Sequence, residues 1–163
     1  SKKRGEDKII KKSIKYIIIR TSGVFSHYQS NFFNNIIRLL RHKKSIEVVS
    51  DQFCFPTYSF DLAKIIEKII SSNHIKQNEV YNFTGHQIKT SWYSFAKKIR
   101  KFSKKNNSNY CKIIPIKLND YKTNVKRPKN SCLDNRKIRK YIKFTSNFDL
   151  NIKKAVKLYY KNK

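Results

Sequence analysis

Apolar residues along this chain fall into two rhythms, short unbroken runs and runs that recur every three or four positions. Tyr16-Ile17-Ile18-Ile19 is unbroken and rich in β-branched residues, which predicts a fully buried, parallel strand. Phe32, Phe33, Ile36, Ile37 and Leu40 recur at helical spacing behind Asn31, a residue suited to the N-cap. Ile46 to Val49 predicts a short strand. Ser59 is expected to cap a second helical run, in which Leu62, Ile65, Ile66, Ile69 and Ile70 form the expected buried face. Val80 to Phe83 reads as another strand, broken by Gly85. Trp92, Phe95, Ala96, Ile99 and Phe102 follow as a helix capped by Ser91, with a polar loop from Lys101 to Asn109. Ile113-Ile114-Pro115 reads as a strand ending at the proline, which has no N–H for a central ladder. Asp134–Tyr141 and Asp149–Tyr160 close the chain as two short helices. At the other end, Glu6 to Lys12 reads as the end of a helix with Ile9 and Ile10 on its apolar side.

Strands alternating with helices make the chain α/β. It carries no internal repeat and no linker, so one domain over residues 1–163 is expected. A chain of 163 residues buries about two-thirds of its unfolded surface. No run approaches the ~20 apolar residues of a membrane span, and no segment has the flanks of a signal peptide. With no Met in the sequence, Ser1 does not read as a translation start, and the chain reads as a fragment. Cys54, Cys111 and Cys132 are odd in number and lack C-x-x-C spacing, so small buried thiols are expected rather than disulfides. His27, His42, His74 and His86 never stand at i, i+4 or beside a cysteine, and no metal site is expected. A reducing, cytoplasmic setting fits.

The charge is +28, from 38 Lys+Arg against 10 Asp+Glu. Such a field attracts phosphates in a salt-dependent way. The basic residues are mostly Lys, however, and they run from Lys2 to Lys163 instead of forming one arm. Together with the wealth of Ile, Asn, Tyr and Phe, this is the signature of A+T-rich codons. Nucleic-acid contact is therefore expected only non-specifically, through charge.

Chemistry gathers in a spaced series: Arg20-Thr21-Ser22-Gly23-Val24-Phe25-Ser26, Asn31-Phe32, Asp51-Gln52 with Pro56-Thr57, and Asp61-Leu62-Ala63. Ser91-Trp92-Tyr93 with Phe95-Ala96 comes next, then Lys126-Arg127-Pro128-Lys129-Asn130-Ser131. In this order the series resembles the C-terminal half of the dTDP-4-dehydrorhamnose reductases, within the extended short-chain dehydrogenase/reductase superfamily. The resemblance implies the substrate-binding portion of a Rossmann-type fold, without the N-terminal cofactor-binding half. No Gly-x-x-Gly-x-x-Gly loop follows a first strand.

The same resemblance assigns roles. Ser1-Lys2 with Gly5-Glu6 matches the end of the family's Tyr-x-x-x-Lys stretch, whose tyrosine would lie three residues before Ser1. Lys2 would then lower the pKa of that tyrosine and hold the nicotinamide ribose. Thr21 and Ser22 would face the sugar, although two hydroxyls closing a turn explain them nearly as well. Gly23 stands where the family has a Trp, so a flat sugar contact is missing. Asn31 would touch the diphosphate while capping its helix, and capping alone accounts for it. Arg127 would clamp the diphosphate with a bidentate fork, against a reading as a solvated charge. Asp61 in a first helical turn is explained by the helix dipole, and Trp92 by the core.

The implied activity of the parent is reduction of the 4-keto group of dTDP-4-dehydro-L-rhamnose by NADPH, or NADH, in polysaccharide synthesis. The fragment alone is expected to be inactive and to bind no cofactor tightly. A dTDP-sugar is the expected partner and a homodimer is compatible with the sequence. Two other readings stay open: a non-catalytic binding or regulatory protein of the same fold, and a basic nucleic-acid-binding domain.

Overall fold

The computed structural model describes residues 2–28, 30–103, 111–123 and 127–161. The helix α1 (Lys2–Lys12) leads into β1 (Ile17–Arg20) and β2 (Val24–Phe25), followed by α2 (Phe32–His42). Next come β3 (Ser45–Val49), β4 (Phe53–Cys54), β5 (Thr57–Tyr58) and α3 (Ser59–Ile70). After them follow β6 (Glu79–Asn82), β7 (Thr90–Ser91), α4 (Trp92–Ser103) and β8 (Lys112–Ile116). The chain then adds β9 (Asn130–Ser131), the single turn α5 (Arg136–Arg139) and α6 (Phe148–Lys161). This is an α/β architecture.

The strands pair in small sets. β1 runs parallel to β6, with Ile17 opposite Glu79 and Arg20 opposite Asn82. β2 pairs parallel with β5, and β3 with β8. β4 lies between antiparallel β7 and parallel β9. The strand β8 continues through Pro115, opposite Val48, to Ile116, instead of ending at the proline. Its one ladder partner among the described residues is β3, and an edge strand tolerates a missing N–H.

Two clusters bury the apolar stripes. Phe33, Ile37 and Leu40 of α2, Phe95 and Ile99 of α4, and Ile152 of α6 pack with Phe25 and Phe148. Rings of Phe25 and Phe95 meet edge-on at 5.0 Å. The second cluster joins Ile65 and Ile69 of α3 to Tyr81, Phe83, Ile138 and Ile142. Burial of each such side chain stabilises by roughly 1.5–3 kcal/mol.

Several expectations are corrected. β1 is half-buried and Arg20 exposed, and β6 is its one ladder partner among the described residues. The helix α1 buries no residue, and Ile9 and Ile10 are exposed at 44% and 42%. Ser59 is the first residue of α3 rather than its cap. Tyr58 occupies the N-cap position without a side-chain bond. On α3, Ile66 and Ile70 face outward, so the buried stripe is narrower than the apolar one. The predicted Asp134–Tyr141 helix shortens to one turn: the Asp134 carboxylate accepts from the Arg136 N–H, and the Asn135 amide is turned to the backbone of Thr84 on a distant segment. The helix α4 extends to Ser103, and the rest of the expected 101–109 loop lies outside the described residues. Cys54 and Cys111 are buried as expected, but Cys132 is only half-buried.

Candidate functional site

The site grows from the carboxyl ends of the parallel pair β1 and β6, the place where open α/β sheets hold ligands. The ladder extends one step past the strands, with the Phe83 N–H donating to the Arg20 carbonyl at 2.8 Å. Thr21 and Ser22 follow directly. Their hydroxyl oxygens are buried, and neither has a hydrogen-bond partner. A buried hydroxyl left unpaired costs about 1–3 kcal/mol, so two side by side mark a place where bound water or a ligand completes the bonding.

Thr57 ties the surrounding segments together. Its fully buried hydroxyl donates to the Ser22 carbonyl at 2.9 Å and accepts from the Gly85 N–H at 3.3 Å. The segments after β1, before α3 and after β6 thus meet at one side chain. Gly85 is held close on the other side. A Cβ there would lie 3.0 Å from Ser146 Oγ and 3.4 Å from the Asp61 carboxylate. That carboxylate accepts from Ser146 Oγ at 2.6 Å and Asn151 Nδ2 at 2.7 Å. Asp61 therefore anchors α6 in addition to any service to the dipole of α3.

Gly23 has φ +57°, and a Cβ on it would sit 3.2 Å from Cys54 Sγ and 3.4 Å from Pro56 Cα. The backbone turns here in a way that only glycine adopts without strain. An aromatic side chain at this position would need a different path for the loop.

Asn31 caps α2, its Oδ1 accepting from the Phe33 N–H at 3.0 Å and the Asn34 N–H at 3.4 Å. Its amide donates to the carbonyls of Ser26 and Tyr28, both at 3.0 Å. One side chain therefore starts the helix and holds the loop that leaves β2. Arg127 arrives on a separate segment. Gln52 donates to the Pro128 carbonyl at 2.9 Å, and the Phe53 N–H to the Lys129 carbonyl at 2.9 Å. The backbone beside Arg127 is thereby fixed while its side chain stays exposed. Lys126 lies outside the described residues.

Lys2 stands exposed at the start of α1. The Glu6 carboxylate of that helix grips Arg20 through two guanidinium nitrogens, at 3.0 Å and 2.5 Å. This hydrogen bond holds the Glu6 carboxyl below its usual range. Thr21, Ser22 and Asn31 thus lie on one stretch of chain, whereas Lys2 and Arg127 stand exposed on separate segments, and no hydrogen bond among the described residues joins either of them to the Thr21 or Ser22 hydroxyl. Hydroxyls, a helix N-terminus and a guanidinium suit a polyhydroxylated, anionic ligand.

Thr57 and Gln52 belong to the spaced series, but the sequence assigns them no role of their own; only the fold reveals that their side chains bridge distant backbone. His86 likewise gains its place only in the fold, its ring stacked on Phe148 at 4.6 Å.

The family described as the RmlD substrate binding domain matches residues 1–161. A dTDP-4-dehydrorhamnose reductase of Aggregatibacter actinomycetemcomitans is 40% identical over 144 residues, covering 85% of this chain and 48% of that protein. The dTDP-4-dehydrorhamnose reductase of Bacillus anthracis, solved in complex with NADP, superposes with a TM-score of 0.81 at 27% identity. It covers 99% of this chain and 54% of that one. The orthologue from Clostridium acetobutylicum gives a TM-score of 0.85 at 26% identity, over 96% of this chain and 53% of that one. The chain spans about half the length of the relatives it matches. No described helix is long and apolar enough to cross a membrane.

Proposed function

The chain belongs to the family of RmlD substrate binding domains, and we propose that it is the sugar-nucleotide-binding part of a cytoplasmic dTDP-4-dehydrorhamnose reductase-like oxidoreductase. The observation that carries this reading is the pair of buried, unpartnered hydroxyls of Thr21 and Ser22 at the carboxyl end of β1. They would take the sugar hydroxyls. Asn31 and the N-terminus of α2 would meet the diphosphate, and the exposed Arg127 would close on it with paired, charge-assisted hydrogen bonds. Lys2, by resemblance, would face the nicotinamide ribose and the family tyrosine in an intact reductase.

NADPH or NADH supplies a hydride when bound to such an enzyme. Nothing between Ser1 and Lys163 reads as the glycine-rich loop that grips its phosphates, so Lys2 is the one cofactor contact proposed for this chain. The chain's own contribution is to bind and orient the sugar nucleotide.

Calorimetric titration of dTDP-L-rhamnose into the chain tests the reading. Saturable binding is expected, weakened on the order of ten-fold by Thr21→Val, the scale of lost hydrogen bonds to a buried ligand. Absence of binding, or identical binding by Thr21→Val, sinks it. Gly23 favours a second reading, a non-catalytic partner subunit, because the family's aromatic contact is replaced by a turn that excludes it. Turnover of dTDP-4-dehydrorhamnose with NADPH by a full-length protein carrying this sequence excludes that alternative.

A further inference from the structure

We propose that the cavity between α3 and the segment after α5 is a second anion site, which takes a small phosphorylated molecule. Its volume is about 390 Å³, with Lys64 and Lys68 of α3 facing Lys143 and Thr145 across it. The apolar floor is made by Ile65, Phe83 and Phe144. None of Lys2, Thr21, Ser22, Asn31 and Arg127 lines this cavity, so the inference stands apart from the sugar-nucleotide reading.

The walls are held in place before any ligand arrives. Lys64 and Lys68 are one turn apart and share a face of α3, whereas Glu67 of the same helix does not line the cavity. The Lys68 ammonium donates to the Lys143 carbonyl at 3.0 Å. That bond pins the far wall to the helix and leaves the ammonium two more N–H groups. The ring of Phe144 meets Phe83 edge-on at 4.9 Å, with the Arg139 guanidinium 4.3 Å from its centre. Asp61 is the one carboxylate in the lining. It already accepts from Ser146 and Asn151 and so is committed to holding α6.

Lysines are plentiful on a chain of charge +28, so a second concave patch, along α4, supplies the contrast. There each cation is engaged by the protein itself. Lys98 pairs with Asp149 at 2.6 Å, and Arg100 donates to the Cys111 carbonyl at 2.9 Å. Lys97 and Lys101 lie over the rings of Tyr93 and Phe102. Beside α3, neither the Lys64 nor the Lys143 ammonium has a hydrogen bond, ion pair or ring contact among the described residues. Three ammonium groups against one carboxylate leave an excess of two positive charges in the lining. A phosphate ester, close to a dianion at neutral pH, matches that excess, whereas a monocarboxylate leaves half of it unanswered. Lysine meets phosphate as a point charge, and the floor of Ile65, Phe83 and Phe144 receives the carbon part of the molecule. The volume suits a small metabolite rather than a polymer.

Pyrophosphate is the probe, titrated into the isotope-labelled chain at physiological ionic strength and followed by amide chemical shifts. The amides of Lys64, Lys68 and Thr145 should shift together and saturate, while those of Lys97 and Lys101 stay in place. Lys64→Gln combined with Lys143→Gln should weaken binding about ten-fold, the scale of lost charged hydrogen bonds. Lys97→Gln combined with Lys101→Gln removes the same charge and should leave binding unchanged. Equal weakening by the two pairs overturns the proposal in favour of general attraction to a basic surface, as do shifts without saturation. Shifts confined to Ser22 and the start of α2 overturn it by placing the anion in the sugar-nucleotide site. Binding of dTDP-L-rhamnose should be indifferent to the Lys64 and Lys143 substitutions, so either reading can fail while the other succeeds.

Discussion

Gly23, Cys54 and His86 show how far single side chains shape this molecule. At Gly23, alanine would combine a positive φ with a Cβ only 3.2 Å from Cys54 Sγ. Gly23→Ala should destabilise by about 1–2 kcal/mol, the strain of a left-handed non-glycine residue, and urea unfolding measures it. Burial pushes the Cys54 thiol up to about 12, with Cys132 adding to the rise. At pH 8 a disulfide reagent should therefore label half-buried Cys132 first and reach Cys54 only on unfolding. His86 is lowered from the ordinary 6.5, first by burial and then by Lys98, with Asp149 opposing. Protonation thus favours the unfolded chain. The contribution is full above pH 6.5 and is lost as pH falls through the depressed folded value. Stability measured by urea should drop as pH is lowered below 6.5, and His86→Gln should flatten that slope.

Among the elements, α2 is the one most completely legible in the sequence. Its cap, its stripe and its buried residues are all local properties, and Asn31, Phe33, Ile36, Ile37 and Leu40 take the places their spacing predicts. Asn31→Ala should cost about 1 kcal/mol as a lost cap, read from the urea midpoint. Asn31→Asp should keep the cap and the helix, yet lose dTDP-L-rhamnose affinity by placing a carboxylate beside the diphosphate. Equal affinity of Asn31→Asp and the parent would leave Asn31 as a cap alone. β1 and α3 are less legible, because burial depends on what lies across an edge or beyond a face. Nothing in the run Ile17 to Ile19 says that β6 is its one ladder partner among the described residues, and nothing at Ile66 or Ile70 distinguishes them from Ile65 and Ile69. The site is legible to the same degree. The Thr21-Ser22 pair stands out by its motif, but the bridging hydroxyl of Thr57 links Ser22 to Gly85 across segments far apart in the chain.

For the whole molecule, the charge of +28 predicts a melting temperature that rises with sodium chloride, since added salt screens self-repulsion. Duplex DNA should bind weakly and without sequence preference at low salt and be lost near physiological ionic strength. Binding that survives there would revive the nucleic-acid reading. The strand pairings carry a further consequence, in time rather than in energy. Ile17 waits for Glu79, Ile46 for Ile113 and Phe53 for Asn130. Each early strand must therefore be held until a distant partner has been made, and the loop between them closed at an entropic cost. Non-local parallel pairing of this kind slows folding to roughly the millisecond-to-second range. A nascent chain would show its isoleucine runs to the cell throughout that interval, so the order of synthesis, as much as the finished fold, governs how much of this protein escapes aggregation.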